Sequence, residues 1–169
     1  MSKRELKKYT GGLTKAQLQD QLIDLYDRFK EVKAYYDFAF NPNENKLFDE
    51  CKFKISKEYF PLNGRKPKMR RSVAQKHIKH FKTLGVEPSI IANVMLYNIE
   101  IAQAFCCEKR VTQDSFYTSM LKSFQEAVAY INENGLNKSL NNRLEKIIDE
   151  TLNQNWYNYK GFELAIAGL

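Results

Sequence analysis

Arg65, Lys66, Lys68, Arg70 and Arg71 fall within seven consecutive residues, and Lys76, Lys79 and Lys82 follow at steps of three. Long, flexible cations at this density do one kind of chemistry well: they neutralise and hydrogen-bond phosphate oxygens. From Tyr59 to Val86 there is no Asp or Glu, so these eight charges stand unopposed within their own segment. The whole chain is formally +7, yet outside the segment it holds 19 basic and 20 acidic residues. One segment therefore carries the excess, and a concentrated excess points to an anionic partner more than a diffuse one does.

The elements that must position these cations are a loop and a helix. "FPLNGRKPK", with Pro61, Gly64 and Pro67, reads as an irregular connection, and 61–68 is the best candidate hinge. A helix from about Met69 to Leu84 follows, closed by Gly85. At about 100° per residue, Val73, Ala74, His77, Ile78, Phe81 and Leu84 share one broad face, while Arg71, Lys76, Lys79 and Lys82 lie on the other. A basic loop entering a helix N-terminus also supplies free backbone N–H groups, which favour an anion. The competing readings are a merely solvated helix face, or neutralisation inside the chain by the acidic stripe Asp20, Asp24, Asp27 and Glu31. An ordinary surface mixes signs, so 28 residues without an acid weaken the first of these. The segment predicts binding to RNA or DNA phosphates, RNA first, with an acidic protein surface as the other anionic partner.

Other chemistry is thinner. Glu100 lies in the most apolar stretch, "SIIANVMLYNIEIAQAFCC", with Asn93 and Tyr97 seven and three residues before it. A buried acid is costly unless paired, so an ion pair with an Arg or Lys of the basic segment is expected there. His77 and His80 are spaced i, i+3, and Cys51, Cys106 and Cys107 are available, but no C-x-x-C occurs. His77 falls on the apolar face, which fits a core histidine better than a metal ligand. No cofactor or metal is expected. No nucleophile elbow, P-loop, HExxH or dinucleotide fingerprint is present, so no residue is assigned a catalytic role. A helix-turn-helix reader is excluded because "IIANVMLYNIEIAQAF", in the recognition position, has no Arg or Lys.

Seven Gly and four Pro are few for 169 residues, which argues for long regular elements. Ser2 with Glu5, and Thr14 with Gln17, have capping-box spacing. Leu18, Leu22, Leu25, Phe29, Val32 and Tyr36 then recur at steps of 4, 3, 4, 3, 4, one inward stripe on a long helix that Asn41-Pro42 ends. Further helices are predicted over 44–59, from Pro88 through the two cysteines, from Thr112 to Gly135, and from Leu136 onward; the aromatic C-terminus is expected to dock on the body. No strand alternation appears. The fold class is all-α: a single compact domain over 1–169, of about six or seven helices that could stack as hairpins. The odd, small set of cysteines reads as reduced thiols used as small core residues. No apolar leader follows the charged N-terminus, and no uninterrupted apolar run of about 18 residues occurs, so a cytoplasmic protein with no membrane span is expected.

The block "KFKISKEYFPLNGRKPKMRRSVAQKHIKHF", with "LYNIEIAQAF" after it and "LIDLYDRFKEVKAYYDFAFNP" before it, resembles a family of small, mostly helical bacterial proteins of unassigned function. The resemblance implies a bacterial cytoplasmic origin and one mostly helical domain, and it transfers no function onto any residue. The residues themselves predict a non-enzymatic accessory factor that binds nucleic-acid phosphates. A protein–protein adaptor with no nucleic-acid role is the alternative, and an enzyme acting on a small anionic substrate comes third.

Overall fold

The computed structural model describes residues 2–167, which form nine α-helices and no strand. They are α1 (Lys3–Gly11), α2 (Lys15–Arg28), α3 (Lys30–Phe40), α4 (Glu44–Tyr59), α5 (Arg71–Leu84), α6 (Pro88–Glu108), α7 (Asp114–Glu133), α8 (Asn137–Asn153) and α9 (Tyr159–Ile166). The chain divides into two compact units, 1–43 and 44–169.

In the smaller unit both capping boxes form: Ser2 with Glu5 opens α1, and Thr14 with Gln17 opens α2. The long helix expected across 14–41 does not. Phe29 takes extended dihedrals (φ −118°, ψ 113°) and divides it into α2 and α3. No Gly or Pro marks that break. What holds it is tertiary: Tyr26 Oη donates to Asp37 Oδ1 at 2.6 Å, and the Lys33 ammonium lies over the Tyr26 ring. In a straight helix residues 26 and 37 would stand about 16 Å apart along the axis. This split, and the folding of the C-terminus into α9, raise the count from the expected six or seven helices to nine. The heptad-like stripe is not inward either. Leu18, Leu22, Leu25 and Phe29 are exposed, and no residue of α1–α3 is buried.

The larger unit holds the core. α6 lies at its centre, packed against α4, α5, α7 and α8. Val94, Leu96, Ile99 and Ala102 on it are completely buried. By length and composition α6 could cross a membrane, although no unbroken apolar run of that length occurs. Here its apolar character is accounted for by neighbours on several sides, as for any central helix. Phe60, just past α4, meets Phe105 near the end of α6, with ring centroids 5.7 Å apart. At the opposite end the Glu87 N–H, just before α6, donates to the Glu44 carboxylate at the start of α4. α4 and α6 therefore run in the same direction, and the α4–α5 and α6–α7 loops emerge at one end of the bundle.

Two backbone positions set the boundaries of α5. Met69 has φ +50°, which a helix cannot contain, so α5 begins at Arg71 and not at Met69 as expected. Gly85, at φ +74°, ends it, and the Val86 N–H returns to the Phe81 carbonyl in a Schellman-type closure. The segment leading into α9, and α9 itself, pack within the larger unit: Trp156 and Phe162 are buried, and Phe162 packs on Phe124 of α7. A Cβ at Gly161 would stand 2.6 Å from a Leu121 methyl, so α7 and α9 approach closely here and a side chain at 161 would force Leu121 to shift.

The cysteines differ from the expected uniform role. Cys51 is buried and its thiol is pushed up to about 12, chiefly by desolvation. Cys107 is exposed, near the Glu150 carboxylate and the Gln154 amide, because the adjacent position on a helix turns it about 100° away from Cys106.

Candidate anion-binding surface

The α4–α5 loop is folded by its own backbone. Asn63 and Gly64 both take positive φ and reverse the chain. The N–H groups of Lys68 and Met69 then donate to one acceptor, the Glu58 carbonyl, at 2.9 and 3.0 Å. The Glu58 side chain closes the loop from the other side. Arg70 donates Nε and Nη2 to its two carboxylate oxygens, both at 2.8 Å. This two-point contact holds the Glu58 carboxyl below its ordinary range and raises the Arg70 guanidinium.

Between these ties lies a cavity of about 290 Å³ lined by Lys57, Arg65, Lys66, Lys68, Arg70 and Glu58, among others. Its single acid is already paired with one of its five cations. Arg65, Lys66 and Lys68 are exposed and form no ion pair among the described residues. Lys57 was outside the segment singled out from the sequence, because beside Glu58 it reads as an ordinary mixed-sign surface; it lines the same cavity, with its ammonium over the Phe53 ring, 3.9 Å from the centroid.

The helical cations divide. Arg71 turns to α7, where Nε donates to Ser123 Oγ at 2.7 Å and Nη2 to Glu126 Oε2 at 2.6 Å. Gln75 donates to the same carboxylate. Lys82 lies over the Tyr130 ring, 4.4 Å from its centroid. Lys76 and Lys79 are exposed and unpaired among the described residues. Arg71, Gln75 and Lys82 fall within about 40° of one another around the axis, so one neighbouring helix takes all three. The eight cations thus do not form one ridge. Three loop cations and Arg70 surround the cavity, Lys76 and Lys79 face solvent, and Arg71 and Lys82 are engaged by α7.

Asn93 and Glu100 come together, but not on the basic segment. Their partner is Arg143 of α8, which donates to both Glu100 carboxylate oxygens through Nε and Nη2 and to Asn93 Oδ1 through Nη1. No signal in the sequence distinguishes Arg143 from other surface arginines; the packing of α8 on α6 selects it. Tyr97 has the Lys52 ammonium over its ring, and its phenol is raised chiefly by burial, with the Glu100 charge adding to the rise. His77 is half-buried, and burial, with Lys54 nearby, lowers its pKa; His80 is exposed. 

Two further cavities open at the same bundle end. One, of about 310 Å³, lies between Lys66, Pro67 and Met69 of the first loop and Lys109, Arg110 and Val111 of the α6–α7 loop. The other, of about 500 Å³, is lined by Cys106, Cys107, Lys109, Arg110, Tyr117 and Gln154, among others.

The model of a family of unknown function, DUF6155, matches residues 1–168, and the chain belongs to that family. No match was found among curated proteins or among solved structures.

Proposed function

We propose that this member of a family of unknown function binds nucleic-acid phosphates, those of RNA first, through the cavity of the α4–α5 loop. One observation carries the reading: Arg65, Lys66 and Lys68, exposed and without an ion pair among the described residues, line one recess whose single acid, Glu58, is already paired with Arg70. Side chains that point into a recess act on the same anion at once, whereas cations spread over a convex face act separately. Lys76 and Lys79 extend the positive surface along α5. RNA is favoured because the cations that line the recess are borne on a loop, and loop-borne cations around a concavity suit single-stranded and irregular nucleic acid.

The test is binding of labelled single- and double-stranded RNA and DNA over a salt series. Wild type is compared with a variant carrying Arg65→Gln, Lys66→Gln and Lys68→Gln. These side chains are exposed and unpaired, so the variant folds. Wild-type affinity should fall log-linearly with salt, by a slope of about −0.7 per phosphate neutralised on a single strand. The variant should lose about 100-fold at low salt, with a shallower slope. Absence of wild-type binding at low salt overturns the proposal.

A second reading rests on the smaller unit. Leu6, Tyr9, Leu18, Leu22, Leu25 and Phe29 are large, apolar and exposed there, while none of its described residues is buried. Apolar surface in such amount favours a protein-docking role. Retention of a partner through washes in high salt, and its loss on Leu18→Ser with Leu22→Ser, would support the adaptor reading.

A further inference from the structure

We infer that the anion site does not end at the α4–α5 loop: it continues across Lys109 and Arg110 of the α6–α7 loop as a track for a single-stranded nucleic acid. The inference rests on the phosphate-binding reading above and extends it to a second loop. Three observations on the larger unit lead to it.

The first is continuity. The cavity of the α4–α5 loop shares Lys66 with the recess between the two loops. That recess shares Lys109, Arg110 and Val111 with the cavity beside Tyr117. Three concavities therefore adjoin in a row, and a cation stands at each junction. Lys109 and Arg110 are exposed and form no ion pair among the described residues. They are 27 or more residues beyond Lys82, the last cation of the basic segment, and only the parallel course of α4 and α6 brings the two loops to one end.

The second is the character of the middle recess. Its floor carries Pro67, Met69 and Val111, all half-buried, below a rim of Lys66, Lys109 and Arg110. An apolar floor under a cationic rim suits a strand whose phosphates take the rim while its unpaired bases turn inward. A duplex keeps its bases stacked inside and offers only its outer phosphate rows, so it would leave such a floor unused.

The third is preorganisation. The first loop is held by two N–H groups on the Glu58 carbonyl. The second is held by Tyr117 Oη, which donates to the Val111 carbonyl at 2.9 Å, and by the Phe116 N–H on the Gln113 carbonyl at 3.0 Å. Loops fixed before binding lose less conformational freedom when a ligand arrives.

The experiment compares wild type, the Arg65/Lys66/Lys68→Gln variant, and a Lys109→Gln, Arg110→Gln variant. The probes are labelled single strands of about 4 and about 16 nucleotides and a duplex of the longer sequence, each over a salt series. The 109/110 variant should lose less affinity for the short strand than for the long one. On the long strand it should lose about tenfold, with a salt slope shallower by about 1.4, or about 0.7 for each of two released phosphates. The long strand should bind wild type more tightly than the duplex. If the 109/110 variant keeps wild-type affinity and slope on the long strand, the second loop is outside the site and the track is overturned, while the first cavity stands. Equal binding of duplex and single strand overturns the single-strand assignment. No binding by wild type overturns both proposals at their common root.

Discussion

Arg70 and Arg71 are neighbours in the chain, identical in type, and each is paired with a glutamate, yet they belong to different regions of the molecule. The Arg70 side chain, in the loop, is 53% exposed and lines a cavity while holding Glu58; the Arg71 side chain, in the helix, is 22% exposed and is tied to Ser123 and Glu126. Loop cations are oriented by local backbone turns, which leave the neighbouring Arg65, Lys66 and Lys68 exposed around the recess. Helical cations are oriented by the 100° step, so their fate follows from whichever helix packs beside them. The lesson is that charge density along a sequence overstates the charge available to a ligand, and that helical cations are the ones to discount first.

The comparison can be broken most forcefully at Glu126. Its carboxylate accepts from both Arg71 and Gln75. Glu126→Ala should cost about 1–2 kcal/mol of stability, because a partly buried guanidinium loses its charged partner. A lower urea midpoint with unchanged nucleic-acid affinity is the expected result. A large gain in affinity would mean that Arg71 is available to the ligand after all.

A smaller effect separates the helical lysines. Lys76→Gln and Lys79→Gln together should reduce the salt slope by up to about 1.4 on a single strand, at little cost to stability. Lys82→Gln should leave the slope unchanged and cost about 0.5–1 kcal/mol, the worth of its contact with the Tyr130 ring. Interchanged outcomes would reverse the assignment of the two sets.

The smallest expected effect is on acid stability. Arg70 holds the folded Glu58 carboxyl below its ordinary value of 4.5. The unfolded chain therefore binds this proton first as pH falls. The pair's contribution is present above about pH 4.5 and is lost as pH drops through the lowered folded value. A pH series of urea midpoints should show wild type declining in that window more than Glu58→Gln does.

Much of the frame is legible without coordinates. The two capping boxes, the Gly85 stop, Pro88 at the start of α6 and the burial of that helix follow from short-range rules. The break at Phe29 is not legible, because it lacks the glycine or proline that punctuates a chain and rests on Tyr26 meeting Asp37. The exposure of the Leu18–Leu22–Leu25 stripe is illegible for a related reason. Periodicity defines an apolar face but carries no information about whether anything covers it. Of the candidate site, Arg65, Lys66 and Lys68 are read directly from composition. Lys57 is hidden by its acidic neighbour, and Lys109 and Arg110 by their distance along the chain.

The sequence by itself determined the all-α class, the helix caps and the concentration of positive charge in 59–86, since each depends on residues within a few positions of one another. The tertiary structure alone decided which cations remain open, that Arg143 is the partner of Glu100, and that two loops share one end of the bundle. Those are contacts across 40 or more residues, set by how α6 is surrounded, and local propensity holds no record of them.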